Sequence, residues 1–160
     1  MDKTLVAYFS CTSTTKKLAE TLAGALKADL YEIKPAVPYT SADLNWNDSN
    51  ARSTKEMNDR SSRPAIAGPV AELADYDTVF VGFPIWWYVA PTIINTFLES
   101  GDFSGKTVIP FCTSGMSGPG ETDARLRPSC SKDAAWRPAK RFPGRTGAAE
   151  LKKWVESLDL

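Results

Sequence analysis

Apolar residues along this chain fall into short continuous runs separated by segments of helical period. Thr4 to Phe9 is an apolar run of strand length. The period then changes over residues 14–27, where Leu18, Leu22 and Leu26 recur every fourth position with Ala19 and Ala23 beside them. That spacing predicts an amphipathic helix. Leu30 to Ile33 reads as a weak second strand, Thr78 to Phe83 as a strong buried one, and Thr107 to Cys112 as another. Between the last two, Pro91 stands where a helix would begin, and Ile93, Ile94, Phe97 and Leu98 share one face of it. Gly101 is placed as its C-terminal stop. A short helix is expected from about Gly120 to Arg127, with Glu121 and Asp123 early and Pro128 after it. The last helix starts near Thr146 and carries Leu151, Trp154, Val155 and Leu158. A fifth strand is placed near Ala134 to Trp136.

Strands that are apolar throughout and alternate with helices predict a parallel sheet covered on both faces. The expected fold is therefore α/β: a three-layer, doubly wound, five-stranded parallel sheet over residues 1–160 as a single domain. The exception to the alternation is Pro35 to Pro69, which is rich in Asn, Asp, Ser and Arg, with only Asn50 to Asn58 compatible with helix. So long a polar connection is either a solvated excursion or a functional flap. Trp46 argues for the flap, since a lone aromatic in such a segment usually covers something apolar.

Composition narrows the function classes. The 160 residues are 42% hydrophobic and 24% charged, and Lys plus Arg equals Asp plus Glu at 19 each. A nucleic-acid binder would be expected to carry a basic excess, which is missing. Zero net charge also leaves only local patches to steer a protein partner. No apolar run approaches membrane-span length, and no secretory signal is read at Met1-Asp2-Lys3, so a cytoplasmic domain without membrane attachment is expected. The chain has no histidine, the commonest general base, and its three cysteines, Cys11, Cys112 and Cys130, show no metal-ligand spacing and read as free thiols.

In an open parallel sheet, ligands bind beyond the carboxyl ends of the strands. The residues just after each strand are therefore the candidates. After the first strand, Ser10-Cys11-Thr12-Ser13-Thr14-Thr15 has five hydroxyl-bearing residues in six and runs into a helix. Unpaired N–H groups at a helix start, with hydroxyl donors added, suit a phosphate without an arginine. Simple N-capping would need one such residue. After the central strand, Pro84-Ile85-Trp86-Trp87-Tyr88 places three consecutive aromatics in a loop. They cannot all face one core, and rings of this kind stack on flat heterocycles. After the next strand, Thr113-Ser114-Gly115-Met116-Ser117-Gly118 lets the backbone come close to a ligand, with hydroxyl and N–H groups for its polar edge. Together the loops describe one ligand, with a phosphate at one end and a planar ring at the other.

With these residues in view, the sequence resembles the flavodoxin family, specifically short flavodoxin-like proteins with a Trp-Trp ring loop. The stretches that carry the likeness are Tyr8 to Thr15, Pro84 to Pro91 and Thr113 to Gly118. The resemblance implies strand order 2-1-3-4-5 and a non-covalently bound FMN. It implies that Ser10, Thr12, Ser13, Thr14 and Thr15 hold the phosphate, and that Pro84, Ile85, Trp86, Trp87, Tyr88, Thr113, Ser114, Gly115 and Gly118 frame the ring system. One departure is visible: the family often has Gly-Asn where this chain has Ser13-Thr14, and bulkier side chains there alter how the loop closes.

A phosphatase of similar topology would need arginine six residues after Cys11, where Lys17 stands without the planar two-point grip. A receiver domain would need acidic residues where Phe9-Ser10 and Phe83-Pro84 lie. Two functions remain. One is an FMN-dependent NAD(P)H oxidoreductase acting on small acceptors such as quinones. The other is an electron carrier between redox proteins, for which the family expectation is an acidic chain. The neutral balance favours the enzyme. Without histidine, protons would come from water, Tyr88 or a thiol such as Cys112.

Overall fold

The computed structural model describes residues 3–68, 72–114 and 117–160. Strands β1 (Thr4–Tyr8), β2 (Asp29–Glu32), β3 (Thr78–Pro84), β4 (Thr107–Thr113) and β5 (Ala135–Trp136) run parallel, and the sheet order is β2-β1-β3-β4-β5, as expected. Val6 lies between Leu30 and Phe80, and Phe83 is level with Cys112, so the carboxyl ends of the central strands are aligned. Successive residues of a strand face opposite layers. Val6, Tyr8, Phe80, Ile109 and Phe111 pack beneath helices α1 (Thr14–Leu26) and α5 (Ala148–Ser157), against Leu18, Leu22 and Leu151. Leu5, Ala7, Val79, Val81, Phe83, Val108 and Cys112 pack on the other face, against Ile93, Ile94, Phe97 and Leu98 of α3 (Thr92–Glu99) and Leu126 of α4 (Thr122–Leu126). Each fully buried Leu, Ile or Phe contributes roughly 1.5–3 kcal/mol. Central strands buried on both faces explain the unbroken apolar runs in the sequence.

The fifth lane of the sheet differs from the expectation. Ala135–Trp136 (β5) pairs with Thr107 and Val108, and a second piece, Lys140–Phe142 (β6), pairs with Phe111 to Thr113 on the same edge of β4. Pro138, which has no N–H to donate, lies between them. Asp123 stitches the break by accepting from the Trp136 indole N–H at 2.8 Å and from the Ala139 N–H at 3.1 and 3.2 Å.

The segment after β2 is folded rather than a solvated excursion. Its base is closed by Ala36 N–H to Ala65 C=O at 2.8 Å and Ala67 N–H to Lys34 C=O at 2.7 Å. Its helix α2 (Arg52–Asn58) is tied back by Ser53 N–H to Asp43 C=O at 3.0 Å. Arg52 donates to Glu56 at 3.0 Å and to the Val37 carbonyl at 2.6 Å, and its guanidinium lies 3.8 Å from the centre of the Tyr39 ring. The Tyr39 hydroxyl donates to Glu56. Burial, reinforced by that bond, pushes the Tyr39 phenol well above its usual range.

Candidate functional site

A cavity of about 680 Å³ opens at the carboxyl ends of β1, β3 and β4. That is within the size range of cofactor sites. Of the residues singled out in the sequence, Thr12, Thr14, Thr15, Pro84, Ile85, Trp86, Trp87, Thr113 and Ser114 line it. Ser10, Ser13, Tyr88 and Gly118 lie outside its lining, and Gly115 lies outside the described residues. Four further residues line it: Cys11 from the first loop, and Leu44, Trp46 and Ser53 from the folded segment after β2. Trp46 was the visible signal for that wall. Leu44 and Ser53 sit in a polar stretch whose folding back depends on long-range bonds, so nothing local marked them.

The first loop leads into a helix start with no side-chain cap. Ser13 precedes α1 with φ at 69°, in the left-handed region, and gives the helix no side-chain cap. The first-turn N–H groups therefore have no capping side chain. That turn has no acidic residue and carries Lys16 and Lys17 instead, cations at the positive end of the helix dipole. A bound anion would remove this conflict. The Ser10 hydroxyl is buried and has no hydrogen-bond partner among the described residues. Thr12 and Thr14 hydroxyls stand 3.4 Å apart. The Thr15 hydroxyl shares a 2.8 Å hydrogen bond with that of Thr113.

The aromatic loop is a two-residue hairpin. Trp86 and Val89 exchange backbone bonds at 2.9 and 3.1 Å, and the residues between them, Trp87 and Tyr88, both have positive φ, at 49° and 67°. Tight hairpins with two such residues usually carry Asn-Gly, so two aromatics here cost about 1–2 kcal/mol each. The turn is braced from outside. Glu121 N–H donates to the Tyr88 carbonyl at 3.1 Å, and Gly120 passes so close that a Cβ there would stand 2.2 Å from that oxygen. The two tryptophans are thereby separated. Trp86 is half-buried and packs edge-on to Phe9 at 5.9 Å and Tyr39 at 5.6 Å, which joins the hairpin to the folded segment. Trp87 stands 43% exposed at the cavity.

Among the described residues no charged side chain lines the cavity. Burial pushes the Cys11 thiol, on the wall, up to about 12, against a smaller opposing effect of Arg52. Cys112 lies in the core, also raised to about 12 by burial, and lines no part of the cavity. It therefore supplies no proton there. All three cysteines are free thiols. Among the described residues no group of His, Cys, Asp and Glu could hold a metal, and no helix is long and apolar enough to cross a membrane.

Comparison with known proteins agrees with the topology. A candidate flavoprotein from Bacteroides eggerthii DSM 20697 superposes with a TM-score of 0.92 at 45% identity, covering 100% of this chain and 99% of that one. Another from Bacteroides uniformis ATCC 8492 gives 0.90 at 48% identity, with 97% and 98% covered. A flavoprotein from Lactobacillus acidophilus NCFM, solved in complex with FMN, shares the fold at 0.68 and 21% identity, with 97% and 99% covered. No curated protein matches the chain. The family model described as Flavodoxin matches residues 3–158, and with that match over nearly its whole length the chain belongs to the flavodoxin family.

Proposed function

We propose that this chain is a single-domain flavoprotein that binds one FMN and uses it to pass electrons to small flat acceptors such as quinones, with a nicotinamide donor. The observation that carries this is one cavity joining a hydroxyl-rich, anion-seeking helix start to an aromatic hairpin. Ser10, Thr12, Thr14 and Thr15 and the first-turn N–H groups would hold the phosphate. The unpartnered buried Ser10 hydroxyl is the kind of donor a phosphate oxygen satisfies. Trp87 and Ile85 would wall the ring, and Thr113 and Ser114 would meet its polar edge.

When bound, FMN supplies two-electron and one-electron chemistry that no side chain can. The chain's own residues bind and shield it. Thr15 and Thr113 fix the phosphate loop against the end of β4. Trp86, Phe9 and Tyr39 form a rigid apolar base for the hairpin. Leu44 and Trp46 line the cavity from the side of the folded segment. Protons come from water, since Tyr88 stands 66% exposed outside the lining and Cys112 is sealed in the core.

The test is titration with FMN followed by steady-state kinetics with NADH and NADPH, small quinones, and reductase proteins as donors, at low and high salt. One FMN per chain and quinone turnover with weak salt dependence are expected, because the 19-against-19 charge balance supplies no strong steering field. Unchanged absorbance and melting temperature on adding FMN would sink the reading. Failure to oxidise either nicotinamide, with fast salt-sensitive reduction by a protein donor, would move the assignment to an electron carrier.

A further inference from the structure

The aromatic hairpin also borders a second cavity. Trp86 and Trp87 line the first one, while Val89 and Ala90, just past the turn, line a cavity of about 390 Å³. Helix α2 spans the same division. Ser53 lines the first cavity, and Met57, about one helical turn further on, lines the second. The two cavities are neighbours with two elements in common.

Their chemistry differs. The first has no charge among its described lining residues, whereas Arg60, Arg63, Arg125 and Glu99 line the second. Arg63 is a strut. Its Nε and Nη2 donate to Glu99 at 2.9 and 3.1 Å, and its Nη1 to the carbonyls of Arg60 and Ser62 at 2.8 Å each. The bond from Arg63, helped by one from Ser129, holds the Glu99 carboxyl below its usual range, so this acid cancels Arg63. The network continues into the wall. Ser129 Oγ donates to Glu99 at 2.7 Å, and the buried Asn95 amide donates to Ser129 Oγ at 2.9 Å and to the Arg125 carbonyl at 3.1 Å. Two cations are left over. Among the described residues, Arg125 has one acidic contact, at 3.5 Å to Glu121, which is 71% exposed and outside the lining. Arg60 is exposed, and its guanidinium has no partner among the described residues. The acid beside it, Asp59, accepts instead from the Ser61 N–H at 3.0 Å and hydroxyl at 2.6 Å. Spare guanidinium groups on a fixed wall are the usual means of holding a phosphate.

We propose that this second cavity takes a phosphate group of the nicotinamide donor, held by Arg60 and Arg125, while the donor's nicotinamide crosses the hairpin to the flavin. This rests on the FMN reading above. A dinucleotide joins its flat nicotinamide to a charged diphosphate through one ribose, and the two cavities offer an uncharged aromatic site and a cationic one on either side of a single hairpin.

The experiment uses FMN-loaded wild type, R60Q, R125Q and K153Q, whose Lys153 is an exposed residue of α5 outside both cavities. KM and kcat are measured with NADH, NADPH and a 1-alkyl-1,4-dihydronicotinamide, which has the same ring and no phosphate. Binding of inorganic diphosphate is followed by calorimetry. R60Q and R125Q are each expected to raise the KM for a dinucleotide about tenfold relative to the phosphate-free donor, with kcat kept, and to weaken diphosphate binding alike. A rise with both dinucleotides assigns the site to the diphosphate, and one confined to NADPH assigns it to the 2′-phosphate. K153Q stays at wild-type values. Unchanged KM and diphosphate affinity in R60Q and R125Q overturn the proposal, as do equal changes in K153Q or an equal rise for the phosphate-free donor. Those outcomes leave the FMN reading standing. Wild type that binds no FMN, or whose FMN none of the three donors reduces, overturns that reading and this proposal with it.

Discussion

Thr15 and Thr113 share a buried 2.8 Å hydrogen bond although 98 positions separate them. The bond joins the start of α1 to the end of β4. It makes the hydroxyl-rich loop before α1 and the end of β4 one mechanical unit.

Thr15→Ala leaves the Thr113 hydroxyl without this partner. Loss of the bond costs about 1–3 kcal/mol of stability, read by urea denaturation. The same hydroxyl can accept from Thr113 and donate to a phosphate, so FMN affinity falls roughly ten- to a hundredfold. Riboflavin, which has no phosphate, binds almost as before. Equal losses for both ligands would place the phosphate elsewhere.

The two tryptophans separate in their effects. Trp86→Ala opens the cluster with Phe9 and Tyr39 and destabilises the fold, toward the lower end of about 3–5 kcal/mol. Trp87→Ala changes stability by no more than about 0.5 kcal/mol, since the ring is well exposed. It weakens FMN binding roughly three- to tenfold through lost stacking. It also raises the potential of the last electron, because an apolar wall disfavours the anionic ring. Thermal melts and FMN titrations of both variants check this. A Trp87 variant with wild-type affinity and potentials counts against the stacking role.

Ser13 holds a left-handed backbone that glycine adopts without a Cβ penalty. Ser13→Gly is expected to stabilise the free protein by about 0.5–1 kcal/mol, read by denaturant midpoint. FMN still binds, because the first-turn N–H groups of α1 are untouched. A drop in stability would show that the Ser13 side chain makes a contribution larger than the strain.

Alkaline stability follows from the two thiols raised from 9.0 to about 12, Cys11 and Cys112. In the unfolded chain they ionise near 9, while in the folded one they stay protonated up to about 12. Their stabilisation is complete below pH 9 and is lost as pH rises toward 12, by about 1.4 kcal/mol per unit for each thiol. Urea midpoints at pH 7, 9 and 10.5 should fall only above 9, and Cys112→Ala should flatten that fall. A midpoint that declines equally in the variant would exclude the thiol as its cause.

How much was legible depended on whether the structure is set locally. Thr78 to Phe83 and Thr107 to Cys112 announced buried parallel strands because both their faces meet helices. The hydroxyl run and the aromatic triplet marked the cavity because their chemistry is concentrated in consecutive residues. Lys140–Phe142 was not legible as a strand. Its only buried apolar residue is Phe142, and its pairing is imposed by the free edge of β4. The wall formed by Leu44 and Ser53 depends on an Arg52–Glu56–Tyr39 cluster whose members are up to 17 positions apart in a polar segment, which leaves no periodic trace.

The broken fifth lane has a consequence for how copies of this protein behave at high concentration. A sheet edge is a template on which another chain can add by backbone pairing. Here one outer edge is cut into pieces of two and three residues, with Pro138 between them and Lys140 and Arg141 in the second. The opposite edge is the four-residue β2, which carries Asp29 and Glu32. Short, charged, interrupted edges give an incoming strand too few consecutive bonds to hold. The break that splits the fifth lane therefore also guards the sheet against fibrillar growth.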